Sequence, residues 1–244
     1  MQLPTIQAEI ERRLLVNYRV DPDVIATWLP APFRPQLVDG YAVAGICLIR
    51  LGSLRPMRTP SWIGLRSENA AHRVAVEWDS PDGVRTGVYI PRRDTDAMAN
   101  VLLGGRVYPG EHQRARFRVS ESADAVHVDY SSYDGTTAVS VDVQITERLE
   151  GSRLFANLDA ASRFFEQGSV GYSATRDGCR VDGMRLNTDA WSVQAGAVTS
   201  AQSSFFDDRE MFPAASAVLD CALVMRGVPV RWTALPSLRS GAAA

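Results

Sequence analysis

The chain has 244 residues, 45% of them hydrophobic, and a formal net charge of −2 at pH 7. This composition is ordinary for a globular protein with a core, and the small net charge gives no field to attract nucleic acid or an anionic membrane. All 26 basic residues are arginines, two pairs of which are adjacent, Arg12–Arg13 and Arg92–Arg93. Because lysine is absent, no side chain can form a Schiff base with a carbonyl substrate.

The cysteines and the N-terminal segment argue against several further classes of protein. The three cysteines are isolated and form no Cys/His cluster, so neither a disulfide framework nor a metal site is indicated. Residues 1–12 have neither the basic start nor the apolar stretch of a signal peptide, and no apolar run reaches the roughly 20 residues of a membrane span. We therefore expect a cytoplasmic protein without a metal, a cofactor, a nucleic-acid partner or a membrane partner.

Short strands followed by turns dominate the chain from its beginning. The segment 41–51 is so continuously apolar that we expect a strand buried on both faces. Most of the later segments alternate polar and apolar residues, and turns such as Ser80–Gly83 join several of them into hairpins. The predicted strands cover residues 13–20, 41–51, 72–78, 84–90, 114–119, 125–130, 138–146, 169–175, 179–186, 190–201 and 217–225.

Only three short helices are predicted, at residues 21–29, 95–103 and 158–167. The first has Asp21 as its cap and Pro22 in its first turn, and glycines follow the other two. No linker or repeat divides the chain, so we predict one mainly β (α+β) domain over residues 1–239 and a frayed tail at 240–244. That many strands favour closure into an antiparallel barrel or cone, which removes exposed edges.

Three segments carry candidate chemistry, although no standard catalytic motif is present. One is residues 204–210, where two adjacent aspartates suggest a metal or acid pair, although such carboxylates in a loop are usually only solvated. Glu68 precedes a predicted strand and follows Arg66, so it is a candidate general base or a residue that orients a substrate. Another segment, residues 104–112, joins a helix to a strand and offers Arg106, Tyr108 and His112, a cation, a phenol and an imidazole. The alternative interpretations are a solvated glutamate and an ordinary loop.

Several short motifs in this order resemble the YqjF-like bacterial family, which belongs to the acetoacetate decarboxylase-like superfamily. The motifs are Asn17–Asp23, Leu29–Pro30, Asp39–Ala42, Ser67–Asn69, Gly87–Tyr89, the helix over residues 94–103 and Gly105–Tyr108. The resemblance covers most of the chain. It implies a closed β-barrel or cone around a pocket for a small molecule, usually in a homo-oligomer.

The resemblance also implies positions for the site residues. The decarboxylases keep their Schiff-base lysine where this chain has Tyr108, so that covalent chemistry is excluded here. Their pocket glutamate matches Glu68, and their N-terminal pocket arginine matches Arg19. We therefore predict Glu68 and Tyr108 as catalytic residues. The predicted substrate-binding residues are Arg19, Arg66, Tyr89, Arg106 and His112.

Three functions remain open at this point. The first is an enzyme that uses non-covalent acid/base chemistry, of a lyase, isomerase, dehydratase or cyclase type, on a carbonyl- or carboxylate-bearing substrate. The second is a non-catalytic protein that holds a small molecule in the same barrel, with Trp28, Trp62 and Trp191 as candidate wall residues. The third is an assembly protein in which the barrel serves oligomerisation.

Overall fold

Thirteen strands and three helices form the computed structural model, which describes residues 5–105 and 108–240. The strands are β1 (Ile6–Val20), β2 (Arg34–Pro35), β3 (Leu37–Val38), β4 (Tyr41–Pro56), β5 (Leu65–Ser80), β6 (Gly83–Thr95), β7 (Gln113–Glu121), β8 (Ala125–Ser132), β9 (Ala138–Thr146), β10 (Val170–Ala174), β11 (Arg180–Asn187), β12 (Gln194–Ser203) and β13 (Ala217–Arg239). The helices are α1 (Pro22–Ala26), α2 (Met98–Leu103) and α3 (Leu158–Gln167). The predicted fold class, mainly β with three short helices, is confirmed.

The differences from the predicted elements have physical causes. The predicted helix at 95–103 begins only at Met98, because Thr95 ends β6 and pairs with β5 and β7. The last strand continues to Arg239, well beyond the apolar segment that predicted it. Its first half pairs with β12 and its second half with β11, so backbone pairing rather than an apolar pattern keeps the second half extended.

The sheet closes into two rings that share five strands. The larger ring runs β6, β7, β8, β9, β12, β13, β1, β4 and β5, and the last of these pairs again with β6. The smaller ring leaves the shared strands at β6, passes through β10 and β11, and returns at β13. Both β1 and β13 are long enough to serve the two rings at different points along their length. The predicted barrel or cone is therefore present as two closed rings. The sheet is mixed rather than purely antiparallel, because β6 pairs in parallel with both β7 and β10.

The central strand β4 is buried on both faces, as its continuous apolar run predicts. Residues Ala42–Leu48 are all buried. On one face Ile46 packs inside the larger ring, whereas on the other Val43 packs with Phe165 of α3. Gly45 allows β4 and β1 to approach closely, because a Cβ at this position would lie 2.3 Å from the carbonyl oxygen of Val16.

The three helices are short and lie outside the rings. Asp21 and Asn157 cap α1 and α3 by accepting backbone N–H hydrogen bonds, which satisfies donors that have no partner within the helix. The longest, α3, has ten residues. Among the residues described, no helix is long and apolar enough to cross a membrane.

His72 lies inside the larger ring and is completely buried. Its ring centroid is 4.4 Å from that of Phe205, and neither ring nitrogen forms a hydrogen bond within the described residues. Burial, reinforced by the charge of Arg92, lowers the pKa of His72 from 6.5 to about 3. The imidazole is therefore neutral at pH 7 and acts as a packing residue.

Replacing His72 with leucine tests this interpretation. His72→Leu removes two buried polar atoms without partners, and we expect it to raise the free energy of unfolding at pH 7 by about 1–3 kcal/mol. The pH dependence should change as well. The unfolded chain protonates His72 near pH 6.5 but the folded chain only near pH 3, so the wild type loses stability as the pH falls through this window.

Urea unfolding of His72→Leu and the wild type at pH 7, 6, 5 and 4 measures both effects. The difference in stability between the two proteins should grow as the pH falls. A constant difference, or a less stable variant at every pH, would show that His72 is not a neutral core residue.

Candidate functional site

A cavity of about 200 Å³ opens inside the smaller ring. Every strand of that ring contributes to its wall, together with α2, the residues that follow α2, and those that join α3 to β10. Among its lining residues are Ile6, Arg13, Cys47, Ile49, Leu51, Leu54, Asn69, Ala71, Arg73, Arg93, Asn100, Tyr108, His112, Met184, Leu186 and Trp232. The volume corresponds to several water molecules, since one water occupies about 30 Å³ in the liquid. A small organic molecule can therefore fit.

Three arginines surround a part of the wall that is made of small side chains. Cys47 of β4 pairs with Ala71 of β5, and Ala71 pairs with Arg93 of β6. Arg73 follows Ala71 by two residues, and both line the cavity. Arg13 extends from β1 and donates its Nε–H to the Cys47 sulfur over 3.3 Å. We refer to Arg13, Arg73 and Arg93 as the arginine cluster.

The arginine cluster is held by neutral groups. Arg73 donates to the side-chain oxygen of Asn17, lies 4.7 Å above the ring of Phe165, and has an Nε without a partner. Arg93 donates its Nε–H to Ser173 Oγ over 3.1 Å. Within the described residues, no carboxylate oxygen lies within 4.0 Å of a nitrogen of any of the three guanidinium groups.

Burial makes the charge on these arginines costly. It lowers the pKa of both Arg73 and Arg93 from 12.5 to about 10. The two guanidinium groups therefore remain protonated at pH 7, although the surroundings disfavour their charge. Arg13 adds to this effect, because its positive charge also lowers the pKa of Arg73. Asp94 also lines the cavity, but it forms an ion pair with Arg92. Within the described residues, the charges of the arginine cluster therefore have no carboxylate partner.

The loop after α2 brings Tyr108 and His112 to the same cavity. Gly104 permits the close approach of His112, because a Cβ there would lie 2.6 Å from His112 Nδ1. Gly110 has a positive φ of 76°, and a Cβ on it would lie 2.6 Å from Ser173 Cβ. The centroids of the Tyr108 and His112 side-chain rings are 6.2 Å apart. The glycines of this loop therefore have a packing role beside the site.

Both side chains of the loop have shifted pKa values. Burial raises the pKa of Tyr108, so its phenol keeps its proton at neutral pH. Burial, followed by the charge of Arg93, lowers the pKa of His112 from 6.5 to about 3. The backbone oxygen of Gly110 lies 3.3 Å from His112 Nδ1 and can only accept a hydrogen bond. The N–H of the neutral ring is therefore assigned to Nδ1, which leaves a lone pair on Nε2.

Glu68 does not line the cavity. Its two carboxylate oxygens accept hydrogen bonds from Arg12 and Arg50, each over 2.6 Å. Arg50 also pairs with Glu121 of β7, a strand that belongs to the larger ring alone. Glu68 therefore lies on the face of β5 opposite the cavity-lining Asn69. Its charge neutralises Arg12, whose side chain is 1% exposed.

The structure brings together some of the predicted site residues and separates others. Tyr108 and His112 line the cavity, whereas Arg19, Arg66 and Tyr89 do not. Arg19 lies 3.6 Å from Asp220, and the side chain of Arg66 is 65% exposed in an ion pair with a carboxylate of β1. Tyr89 packs in the core of the larger ring. Arg106 falls outside the described residues.

Sequence reasoning missed the arginine cluster, although a signal for it existed. Successive side chains of a strand point to opposite faces. In the pair Arg12–Arg13, the first residue binds Glu68 and the second lines the cavity. In the pair Arg92–Arg93, the first binds Asp94 and the second again lines the cavity. In each adjacent pair, therefore, one arginine forms an ion pair with a buried or partly buried carboxylate and the other lines the cavity.

The tryptophans proposed as wall residues have different positions. Trp191 lies next to the cavity, where the Arg13 guanidinium is 5.9 Å from its ring centroid. Trp62 is 83% exposed on the surface, and Trp28 does not line the cavity but packs against Phe212. Trp232, which the sequence did not single out, contributes directly to the wall. Among the residues described, no group of three or more His, Cys, Asp or Glu side chains could hold a metal ion.

Solved structures share this fold over almost the whole chain. An acetoacetate decarboxylase-like enzyme from Sphingomonas wittichii RW1 has a TM-score of 0.60 at 13% identity, covering 98% of this chain and 92% of that one. Acetoacetate decarboxylase from Legionella pneumophila has a TM-score of 0.58 at 14% identity, covering 98% and 87%. The enduracididine biosynthesis enzyme MppR, complexed with pyruvate, has a TM-score of 0.64 at 13% identity, covering 98% and 91%. The fold is therefore that of the acetoacetate decarboxylase-like proteins.

The family follows from a separate comparison. Residues 7–229 match the family DUF2071, described as an uncharacterized conserved protein (COG2071). The chain belongs to this family, and the resemblance inferred from its motifs is confirmed. The comparison with curated proteins gives no significant match.

A substitution at Glu68 tests whether its role is structural. Glu68→Gln leaves the buried Arg12 charge without its counter-ion, and we expect a loss of about 3–5 kcal/mol in the free energy of unfolding. Glu77→Gln is the matched control, since its ion pair with Arg34 is exposed and should contribute little. Chemical denaturation measures both variants. Equal stability of the two would contradict the structural role of Glu68.

Proposed function

We propose that this protein is a cofactor-free enzyme that acts on a small carbonyl- and carboxylate-bearing molecule in the cavity of the smaller ring. The arginine cluster would bind the carboxylate, and Tyr108 and His112 would handle protons. The chemistry is non-covalent, of a lyase, isomerase, dehydratase or cyclase type. The observation that carries the proposal is the set of three cavity arginines without a carboxylate partner among the described residues.

The electrostatics of the cavity favour an anionic ligand. Buried charges in proteins are generally paired, because leaving one unpaired costs several kcal/mol. Here the paired arginines, such as Arg12 and Arg92, face the larger ring, whereas those of the arginine cluster face the cavity. A carboxylate accepts two parallel hydrogen bonds from a guanidinium, so it fits this cluster in both charge and shape.

Tyr108 and His112 offer complementary proton chemistry. The phenol of Tyr108 is protonated at neutral pH, so it can donate a hydrogen bond to a carbonyl oxygen and stabilise an enolate that forms there. His112 is neutral and can accept a proton on Nε2. An acid bound to Arg93 offsets the positive charge that helps to lower the pKa of His112. Substrate binding would therefore make His112 a stronger base.

The absence of lysine defines what this site does not do. The chain offers no side-chain amine to a carbonyl group, and the phenol at Tyr108 cannot replace one. MppR, which has a similar fold, is described in complex with pyruvate, a small carbonyl acid. That complex supports the ligand class proposed here but does not extend to the reaction.

We also predict that the protein is a cytoplasmic homo-oligomer that binds no nucleic acid.

A non-catalytic binding protein is the alternative function. The observation that favours it is the position of Glu68, because this predicted base does not line the cavity. Under this alternative, the arginine cluster binds an acid and thermal stabilisation follows, without any product. The assembly function has less support, since the smaller ring contains a cavity rather than being filled by its own side chains.

Two variants test the proposed roles. Arg93→Gln removes one charged hydrogen-bond donor, so we expect the Kd for pyruvate or a related 2-oxo acid to rise about 10- to 100-fold. Tyr108→Phe removes one neutral hydrogen bond to the carbonyl, so it should raise this Kd by less than about tenfold but should strongly reduce the rate of proton exchange or turnover at the position next to the carbonyl. Calorimetry measures the binding, and NMR in D₂O follows the exchange.

Arg118→Gln is the control variant, because Arg118 is an arginine of β7 whose side chain is 75% exposed, far from the cavity wall. It should behave as the wild type in both measurements. Equal acid affinity of Arg93→Gln and Arg118→Gln would refute the arginine cluster as the binding site. Binding without exchange in every protein would favour the non-catalytic alternative.

A further inference from the structure

The cavity changes from charged to apolar along its length. After Cys47, which lies beside the arginine cluster, the cavity-lining residues of β4 are Ile49, Leu51 and Leu54. The wall thus becomes branched and aliphatic away from the arginines. Because β4 is a continuous strand, these side chains form a path along the cavity rather than an isolated patch.

A row of three large side chains marks the far end of this path. Ile6 of β1 pairs with Trp232 of β13, and Trp232 pairs with Leu186 of β11. All three line the cavity, as does Met184 of β11. They belong to one hydrophobic cluster, against which Tyr108 also packs. We refer to Ile6, Leu186 and Trp232 as the apolar end.

The two ends are too far apart for a very small acid to contact both. Arg13 and Ile6 lie seven residues apart on β1, which corresponds to roughly 20 Å between their Cα atoms in an extended strand. The side chains that line the cavity occupy part of this length, so the span open to a ligand is shorter. A three-carbon acid that binds the arginine cluster leaves the apolar end without contact. An acid with a longer apolar chain buries that chain against Leu51, Leu54 and the apolar end, which is favourable because apolar surface is removed from water.

From this arrangement we infer the class of ligand: an organic acid whose carboxylate binds the arginine cluster and whose alkyl or aryl body extends to the apolar end. The inference rests on the proposed function and specifies its substrate. Tyr108 packs against the same hydrophobic cluster as the apolar end, whereas His112 lies close enough to Arg93 for that charge to lower its pKa. The reacting carbon of such an acid therefore lies between the carboxylate and the body, beside these two residues.

A series of linear 2-oxo acids, from pyruvate to 2-oxooctanoate, tests the inference by calorimetry on the intact protein. Each added methylene should lower the Kd about fourfold until the apolar end is filled. 2-Oxoglutarate is the matched polar probe for 2-oxopentanoate, because both have a five-carbon chain, and it should bind more weakly. A Kd that does not depend on chain length, or tighter binding of 2-oxoglutarate, would overturn the inference while leaving the proposed function intact.

A variant locates the chain-length effect in the structure. Met184→Gln keeps the side-chain length but makes the wall polar, so the Kd for 2-oxooctanoate should rise about tenfold or more while that for pyruvate stays nearly unchanged. Leu102→Gln is the control, since Leu102 is 60% exposed on α2 and does not line the cavity. An equal loss of affinity for both acids in Met184→Gln would contradict the inferred orientation. If no acid of any length binds the wild type, the proposed function fails together with the inference.

Discussion

The main constraint on this structure is that three arginines line one cavity, where burial disfavours the positive charge of Arg73 and Arg93. The strands that supply them, β1, β5 and β6, are shared by both rings, and each also carries an arginine or a histidine toward the larger ring. On the side of the larger ring, Arg12 and Arg92 form ion pairs with carboxylates, and His72 is neutral at pH 7. On the cavity side, the partners of Arg13, Arg73 and Arg93 within the described part of the chain are neutral hydrogen-bonding groups and aromatic rings. Within the described residues, internal charge is therefore paired with carboxylates on one face of these strands and has no carboxylate partner on the other, which is the basis of the proposed acid binding.

Strand pairing explains how the site arises from residues far apart in the sequence. The direct pairs Cys47–Ala71 and Ala71–Arg93 join β4, β5 and β6 side by side, and the small side chains of the first two leave room for the arginines around them. The missing lysine has a consequence at this site. The resemblance places the lysine of the decarboxylases at Tyr108, whose phenol is protonated at neutral pH. In the proposed function, the ligand would therefore be held by the arginine cluster and by apolar contacts, without a covalent bond.

Much of the fold could be predicted from the sequence, because the alternation of polar and apolar residues marks strands such as β9 and the capping residues mark α3. The absence of a side-chain amine follows from residue identity alone. The place of Tyr108 beside the pocket was predicted from the family resemblance, and Tyr108 lines the cavity. The sequence could not show that Glu68 lies outside the cavity. Its neighbour Asn69 lines the cavity, and a shift of one residue reverses the face. Which face of β5 meets the cavity depends on the closure of the smaller ring, which no local pattern specifies.

A crystal structure with 6-bromohexanoate would test the central claim most directly, because the carboxylate and the bromine label opposite ends of the molecule. We predict carboxylate oxygens within hydrogen-bonding distance of Arg93 or of another member of the arginine cluster, and an anomalous bromine peak toward the apolar end. An acid bound outside the smaller ring, or one whose carboxylate lies at the apolar end, would contradict the account.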